Sequence, residues 1–334
     1  MSNTVQTTQF GVLGTARIAT KVGAAIHKAS NAELTAVASR DAQHAAAWAG
    51  EHGATRSYGS YAALIDDPDL DAIYIPLPPS MHAEWTIKAA EAGKHVLCEK
   101  PLAMSVTETE EMAAVCRENN VQLMDGVMWV HHPRADDMRK PISDGSLGTV
   151  RRMTSAFTFN NDLPLTDLRM QRELGGGSML DLGWYCVRAT LWAFGELPRR
   201  VWANARYKND VDVNFSGLMW YDNDRMASFD SAFDTGLRKW FEVAGTEASL
   251  VCDDFVHPWD ESKPRFWLHN PDGKMEERVS AGDIQEVKMV ECLANIAQSG
   301  QLEDRWTNDA IATQRVCDAL DQSARSGKIV ELAE

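Results

Sequence analysis

Short apolar runs alternate with amphipathic stretches through the first third of the chain. Residues 10–14 read as a strand running into a tight turn, and 17–28 as a helix with one apolar face. Residues 34–39 give a second strand and 42–52 a second helix; 55–58 and 61–65 repeat the pair in short form. A strand over 72–76 precedes a helix over 83–92 closed by Gly93, and Val96, Leu97 and Cys98 make a short buried strand. Ser105 and Glu108 stand at capping-box spacing before a helix reaching Asn119, and 121–124 is a further strand. Alternation of this kind predicts parallel strands with right-handed crossovers, a doubly wound Rossmann sheet in an α/β class.

Around Gly126 the alternation stops, which divides the chain into a dinucleotide-binding type of domain over 1–126 and a second domain over 127–334. The second opens with a helix near 135–143 and a strand over 150–159. Residues 160–174 are irregular and charged, with Asp162, Asp167, Arg169, Arg172 and Glu173. Gly175, Gly176 and Gly177 follow, a run that permits close backbone approach, and Ser178 is the expected N-cap of a helix reaching Phe194. Beyond Leu197 the period becomes two. Residues 201–207, 213–221, 225–233, 239–244 and 248–253 predict antiparallel strands, with 222–225 as a hairpin turn. A second hairpin joins 265–269 to 275–279 through Gly273, and helices near 285–298 and 308–326 end the pattern. The second domain is therefore expected to be α+β, with a large, mostly antiparallel, open-faced sheet. Such a face commonly packs on a symmetry mate, so a homodimer or homotetramer through the C-terminal sheet is expected.

Composition narrows the class. A chain of 334 residues has room for two cores, and 44% hydrophobic with 24% charged residues is a soluble globular mixture. A net charge of -15 argues against nucleic acid or an anionic membrane as partner. No apolar run approaches the roughly 20 residues of a membrane span, and residues 1–9 show no signal-peptide pattern, so the expectation is a cytoplasmic protein. Six scattered cysteines without Cys-x-x-Cys suit free thiols and no structural zinc. His131 and His132 are adjacent and point apart in an extended segment, so no metal site is expected there.

Candidate chemistry gathers where apolar strands end. The strand of Val96 to Cys98 runs directly into Glu99, Lys100 and Pro101, which places a carboxylate and an ammonium at the carboxyl edge of a parallel sheet, where ligands bind. The first strand ends in Gly14, Thr15, Ala16, Arg17, Ile18 and Ala19, the position of a Gly-x-Gly-x-x-Gly fingerprint with alanine in two of its three glycine places. The helix N-terminus there offers donors to a pyrophosphate. The second strand ends in Ser39 and Arg40, a hydroxyl and a guanidinium suited to a 2′-phosphate, so NADP is expected. Asp41, one residue later, leaves NAD possible. The loop Leu77, Pro78, Ser80 and His82 is a candidate cofactor wall. In the second domain Asp181 and Tyr185 lie four apart on one helix face. A phenol, with an ordinary pKa of about 10, acts as acid or base when a cation stabilises its anion. Two plainer readings stand beside these: Asp181 as the capping-box partner of Ser178, and Tyr185 as core. Trp129 and Arg169 are candidates for a substrate wall.

Taken together, the Gly14 turn, the loop from Pro78 to His82, Glu99-Lys100-Pro101, the three glycines, the Asp181 to Tyr185 segment and the closing Asp309-Ala310 helix resemble the Gfo/Idh/MocA oxidoreductases over nearly the whole chain. Tyrosine at position 185 is similar to the branch with glucose-fructose oxidoreductase, dimeric dihydrodiol dehydrogenase and xylose dehydrogenases. The resemblance implies a cis Lys100–Pro101 bond, Lys100 beside the nicotinamide, and an NADP-dependent oxidoreductase of a sugar or sugar derivative. In this reading Tyr185 is the acid/base, Lys100 assists it and Asp181 orients Lys100 or a substrate hydroxyl. A trans-dihydrodiol or other carbonyl substrate is the first alternative, and a silent NADP-binding sensor or scaffold the second.

Overall fold

A computed structural model describes residues 7–332. The chain divides into two compact units, one holding the chain up to His131 together with Ile284–Ile311, the other His132–Asp283 together with the chain from Ala312 onward. The expected single boundary after Gly126 thus gives way to a discontinuous division in which a late segment joins the first unit.

The first unit alternates as its apolar periods dictate: β1 (Thr8–Leu13), α1 (Arg17–Lys28), β2 (Ala32–Ala38), α2 (Ala42–His52), β3 (Arg56–Tyr58), α3 (Tyr61–Ile65), β4 (Ala72–Ile75), α4 (His82–Glu91), β5 (His95–Cys98), α5 (Val106–Glu118) and β6 (Leu123–Asp125). Its six strands lie in the order β3-β2-β1-β4-β5-β6. Every pairing is parallel. The order reverses between β1 and β4, so the loops leaving those strands diverge and open a crevice at the carboxyl edge. β4 is buried at every position, as a strand covered on both faces must be.

The second unit contains α6 (Pro133–Ser143), β7 (Val150–Asn160), α7 (Trp184–Phe194), β8 (Arg200–Lys208), β9 (Val211–Trp220), β10 (Met226–Ala232), β11 (Asp234–Gly245), β12 (Ser249–Cys252), β13 (Arg265–His269) and β14 (Met275–Val279). Then α8 (Gln285–Ser299) returns to the first unit and packs on α1 and the turn Met128–His131. α9 (Asp304–Ser326) bridges the units in sequence, and β15 (Val330–Glu331) adds an edge strand to β8. The nine-stranded sheet runs β14-β13-β12-β11-β7-β10-β9-β8-β15. It is antiparallel except for β7 with β10, which pair in parallel. Asn223 and Asp224 both take φ of 57°, the two-residue turn that joins β9 to β10. Val201, Ala203, Phe215, Met219, Ala227 and Phe229 are buried on one face, where α7 packs on β7, β10 and β11. Among the described residues no helix is long and apolar enough to cross a membrane.

One expected helix is built differently. The segment after the three glycines opens as a wide π-helical turn over Met179–Gly183 before regular α7. Ser178 does not cap it: its backbone is already helical, at φ -67° and ψ -29°. A residue with helical dihedrals cannot aim its hydroxyl back at the first amides.

Candidate active site

In the first unit the carboxyl edge is assembled from four strand ends. Gly14 takes φ of +106°, and its amide donates to the Ala38 carbonyl at 2.8 Å. A Cβ there would stand 3.0 Å from Leu77 Cδ2, so the turn after β1 needs glycine for conformation and for contact with the loop after β4. Ala16 is the N-cap of α1 and supplies no side-chain cap bond. Ala16 and Arg17 are exposed, and Thr15 and Ile18 partly so. The first amides of a helix without a side-chain cap, beside a glycine turn, fit the pyrophosphate of a dinucleotide.

At the end of β2, Ser39 is buried with its hydroxyl accepting from the Asp41 amide at 3.3 Å, and Arg40 is exposed. The Asp41 carboxylate caps α2, accepting from the Gln43 amide at 2.8 Å and the His44 amide at 3.0 Å. Those amides hold its pKa below the ordinary value. Asp41 thus caps its own helix through Oδ1. Beside it this edge offers the adenosine ribose a hydroxyl and a guanidinium, a set that fits a 2′-phosphate.

Beyond β4, Leu77 and Pro78 lead into a turn over Pro79–Met81 where Ser80 is exposed. His82 does not reach this surface. It is fully buried, with Nε2 2.7 Å from the Leu77 carbonyl and Nδ1 3.0 Å from the Pro101 carbonyl. Burial lowers its pKa, against the pull of those carbonyls. The cofactor contact expected of His82 is thus corrected: it ties the loop after β4 to the loop after β5.

After β5, the Lys100–Pro101 peptide is cis. Glu99 turns inward: Tyr74 donates its hydroxyl to Glu99 Oε1 at 2.7 Å, and the Lys100 amide donates to Oε2 at 3.3 Å. A Cβ on Gly126 would lie 3.0–3.1 Å from the Glu99 carboxyl atoms, so the end of β6 also presses on this group. Burial pushes the Glu99 carboxyl up, while the Lys100 charge and the Tyr74 hydroxyl pull it down. Glu99 is a support under Lys100 more than an open cofactor ligand. Trp129, expected in a substrate wall, is 1% exposed in the turn Met128–His131, and a substrate could reach it only after its neighbours moved.

In the second unit, Arg169 donates from Nε to Asp181 Oδ2 at 2.7 Å. The Asp181 charge holds the Arg169 guanidinium above its ordinary pKa. Asp181 therefore makes an ion pair with Arg169 through Oδ2. Tyr185, one turn on, is 4% exposed and meets Phe157 edge to face at 5.5 Å. The glycines approach their own chain: a Cβ on Gly176 would stand 2.6 Å from the Arg169 carbonyl, and Gly177, at φ +126°, abuts Asp212. Asp212 and Tyr74 are the supporting groups that pattern reading missed. The only sequence signal for either is a polar group inside an apolar strand. His131 stacks on Trp306 at 4.3 Å, and the His132 Nδ1 accepts from the Arg134 amide at 3.0 Å.

Known proteins resemble this chain over most of its length. Residues 8–127 match the model of an oxidoreductase family with an NAD-binding Rossmann fold, and residues 136–251 match a GFO/IDH/MocA C-terminal domain. The chain is 35% identical to an NADP(+)-dependent D-xylose 1-dehydrogenase of Haloferax volcanii, over 97% of this chain and 99% of that one. It is 31% identical to a trans-1,2-dihydrobenzene-1,2-diol dehydrogenase of Xenopus laevis, over 75% and 76%. A 3-ketoreductase from Actinomadura kijaniata, solved with NADP and TDP-benzene, superposes with a TM-score of 0.90 at 30% identity, covering 95% of this chain and 98% of that one.

Proposed function

The chain belongs to the GFO/IDH/MocA oxidoreductase family, and from that premise we propose an NADP-dependent dehydrogenase or reductase acting on a sugar or sugar derivative. The carrying observation is the end of β2, where Asp41 caps α2 through Oδ1 and the exposed Arg40 guanidinium stands beside the Ser39 hydroxyl. NADP, when bound, accepts or supplies the hydride at the hydroxyl or carbonyl carbon. The relatives that act on xylose and on a keto sugar favour a polyhydroxylated substrate.

In this proposal the Tyr185 phenol takes the proton of the substrate hydroxyl during oxidation and returns it during reduction. The Lys100 ammonium assists by stabilising negative charge on oxygen as that proton moves. Asp181, paired with Arg169, fixes the polar wall beside Tyr185. Thr15 and Ile18 accompany Gly14 at the dinucleotide turn, and Leu77, Pro78 and Ser80 wall the nucleotide.

A panel of aldoses and trans-dihydrodiols, assayed with NADP+ and with NAD+, tests the reading. The expected result is NADP+ reduction driven by a sugar. A clear preference for dihydrodiols would transfer the substrate class to that of the Xenopus relative, and a preference for NAD+ would defeat the cofactor assignment. Lys100→Met and Tyr185→Phe are each expected to lower kcat by about 10²–10⁴-fold, the range of a lost acid/base group, with NADP(H) binding retained. If both serve one proton transfer, the double variant loses little more than the worse single one. Near-normal turnover in either single variant removes that residue from the mechanism.

A further inference from the structure

We propose that Asp212 is a positioning residue for the reaction: its carboxylate, reaching from β9 onto the Ser178–Met179 backbone, sets the start of the segment that carries Asp181 and Tyr185. The inference rests on the assignment of Tyr185 given above. A helix start leaves amides without partners. Ser178 cannot serve them, and Asp212 does so from another element. Its Oδ2 accepts from the Ser178 hydroxyl at 2.8 Å and from the Met179 amide at 2.7 Å. The Ser178 hydroxyl also lies 3.2 Å from the Ser231 carbonyl and 3.3 Å from its hydroxyl, so β9 and β10 hold the turn together. Ser178 is fully buried and Asp212 is 7% exposed. Gly177 has no side chain because the other carboxylate oxygen occupies that space.

The next five residues form the π turn. A π turn is wider than an α turn, so it rotates every later side chain about the helix axis by an amount fixed at its first residue. Asp212 holds that first residue, and Tyr185 lies six positions further on.

Ionisation gives this support a sign. Burial raises the Asp212 pKa to about 7, against the opposing bonds from Ser178 and Met179 and with a further rise from Asp321. The charged and titratable groups around it are Tyr207, its partner across β8, Asp210 in the turn between β8 and β9, Arg172 before the glycines, and Asp321 and Arg325 on α9. Arg172 and Arg325 are paired with Asp210, and Arg325 also with Asp321. An ionised carboxylate holds its two donors more tightly than a neutral one. Passing neutrality upward therefore firms the turn.

The test uses the full chain with 13C-labelled tyrosine. The Tyr185 ring signal, assigned by its loss in Tyr185→Phe, is expected to shift with an inflection near neutrality, and Asp212→Asn, which keeps an accepting oxygen without the charge, is expected to abolish that inflection. With the sugar that the panel identifies, Asp212→Asn is expected to lower kcat above neutrality by roughly fivefold, in line with a weakened charge-assisted hydrogen bond, and to leave KM for NADP unchanged. Ser178→Ala, a milder change, is expected to move kcat the same way. An unchanged Tyr185 titration in Asp212→Asn, or a change in KM alone, overturns the inference. Retained turnover in Tyr185→Phe would instead defeat the assignment of Tyr185, whatever Asp212 does.

Discussion

Arg40 and Asp41 are neighbours with opposite fates. One carboxylate oxygen caps α2, and the guanidinium is exposed without a place in that cap. Arg40→Ala is therefore expected to weaken NADP binding by about 1.5–3 kcal/mol, the range for a hydrogen bond to a charged group. NAD binding should barely change. Isothermal titration with both nucleotides checks this, and equal losses for both would show that Arg40 does not read the 2′-phosphate. Tyr74 carries a second prediction. The Glu99 pKa is raised above its unfolded value, so the folded state loses stability as pH climbs from the ordinary carboxylate range toward the folded value. The Tyr74 hydroxyl favours the ionised form and limits that loss. Tyr74→Phe should cost about 1–3 kcal/mol near neutral pH, where a buried acceptor is left unmet, and less below the ordinary carboxylate range. Denaturant midpoints across pH measure it. A cost independent of pH would mean the hydroxyl matters only for packing.

At the scale of elements, the ends of β5 and β6 meet where Glu99 lies against Gly126. Gly126→Ala forces a methyl group against that carboxylate, and Lys100 is the next residue. The expected outcome is a kcat at least several-fold lower with a stability loss of about 1–3 kcal/mol, typical of overpacking. A normal kcat with lowered stability would separate the Glu99 support from catalysis. This junction also shows what the sequence made legible. The helices over 17–28, 42–52 and 61–65 have the expected bounds because their apolar period and end signals are local. Glu99, Lys100 and Pro101 at a strand end were legible for the same reason. The π turn was not, because the carboxylate that starts it comes from a strand 34 residues later. The parallel pairing of β7 with β10 escaped because period two looks the same in either direction. An amphipathic helix shows that it packs but not on which core, so α8 gave no sign of returning to the first unit. His82 and Trp129 look like site residues in sequence, and only tertiary packing buries them.

At the scale of the whole molecule, the open face of the large sheet is the feature still seeking a partner. Cross-strand register lines up Trp202, Leu218, Ser228, Thr154, Glu242, Val251 and Trp267 in one row. Their inward-facing neighbours Val201, Phe229, Val243 and Leu250 are buried, whereas these side chains keep partial exposure. The row holds Trp202, Leu218, Val251 and Trp267 with Glu242 as its one charged residue, so on a chain of net charge -15 it is a face where two copies meet with few like charges opposed. We propose a homodimer or homotetramer through this face. Because a twofold interface presents each residue twice, Leu218→Glu would set two buried carboxylates into one contact. Association should weaken on the order of a hundredfold or more, read by light scattering across protein concentration. The repulsion between two acidic chains is screened by salt, so wild-type association should tighten as ionic strength rises. A wild-type monomer at every concentration, or a Leu218→Glu chain with unaltered mass, would assign the face to some other role.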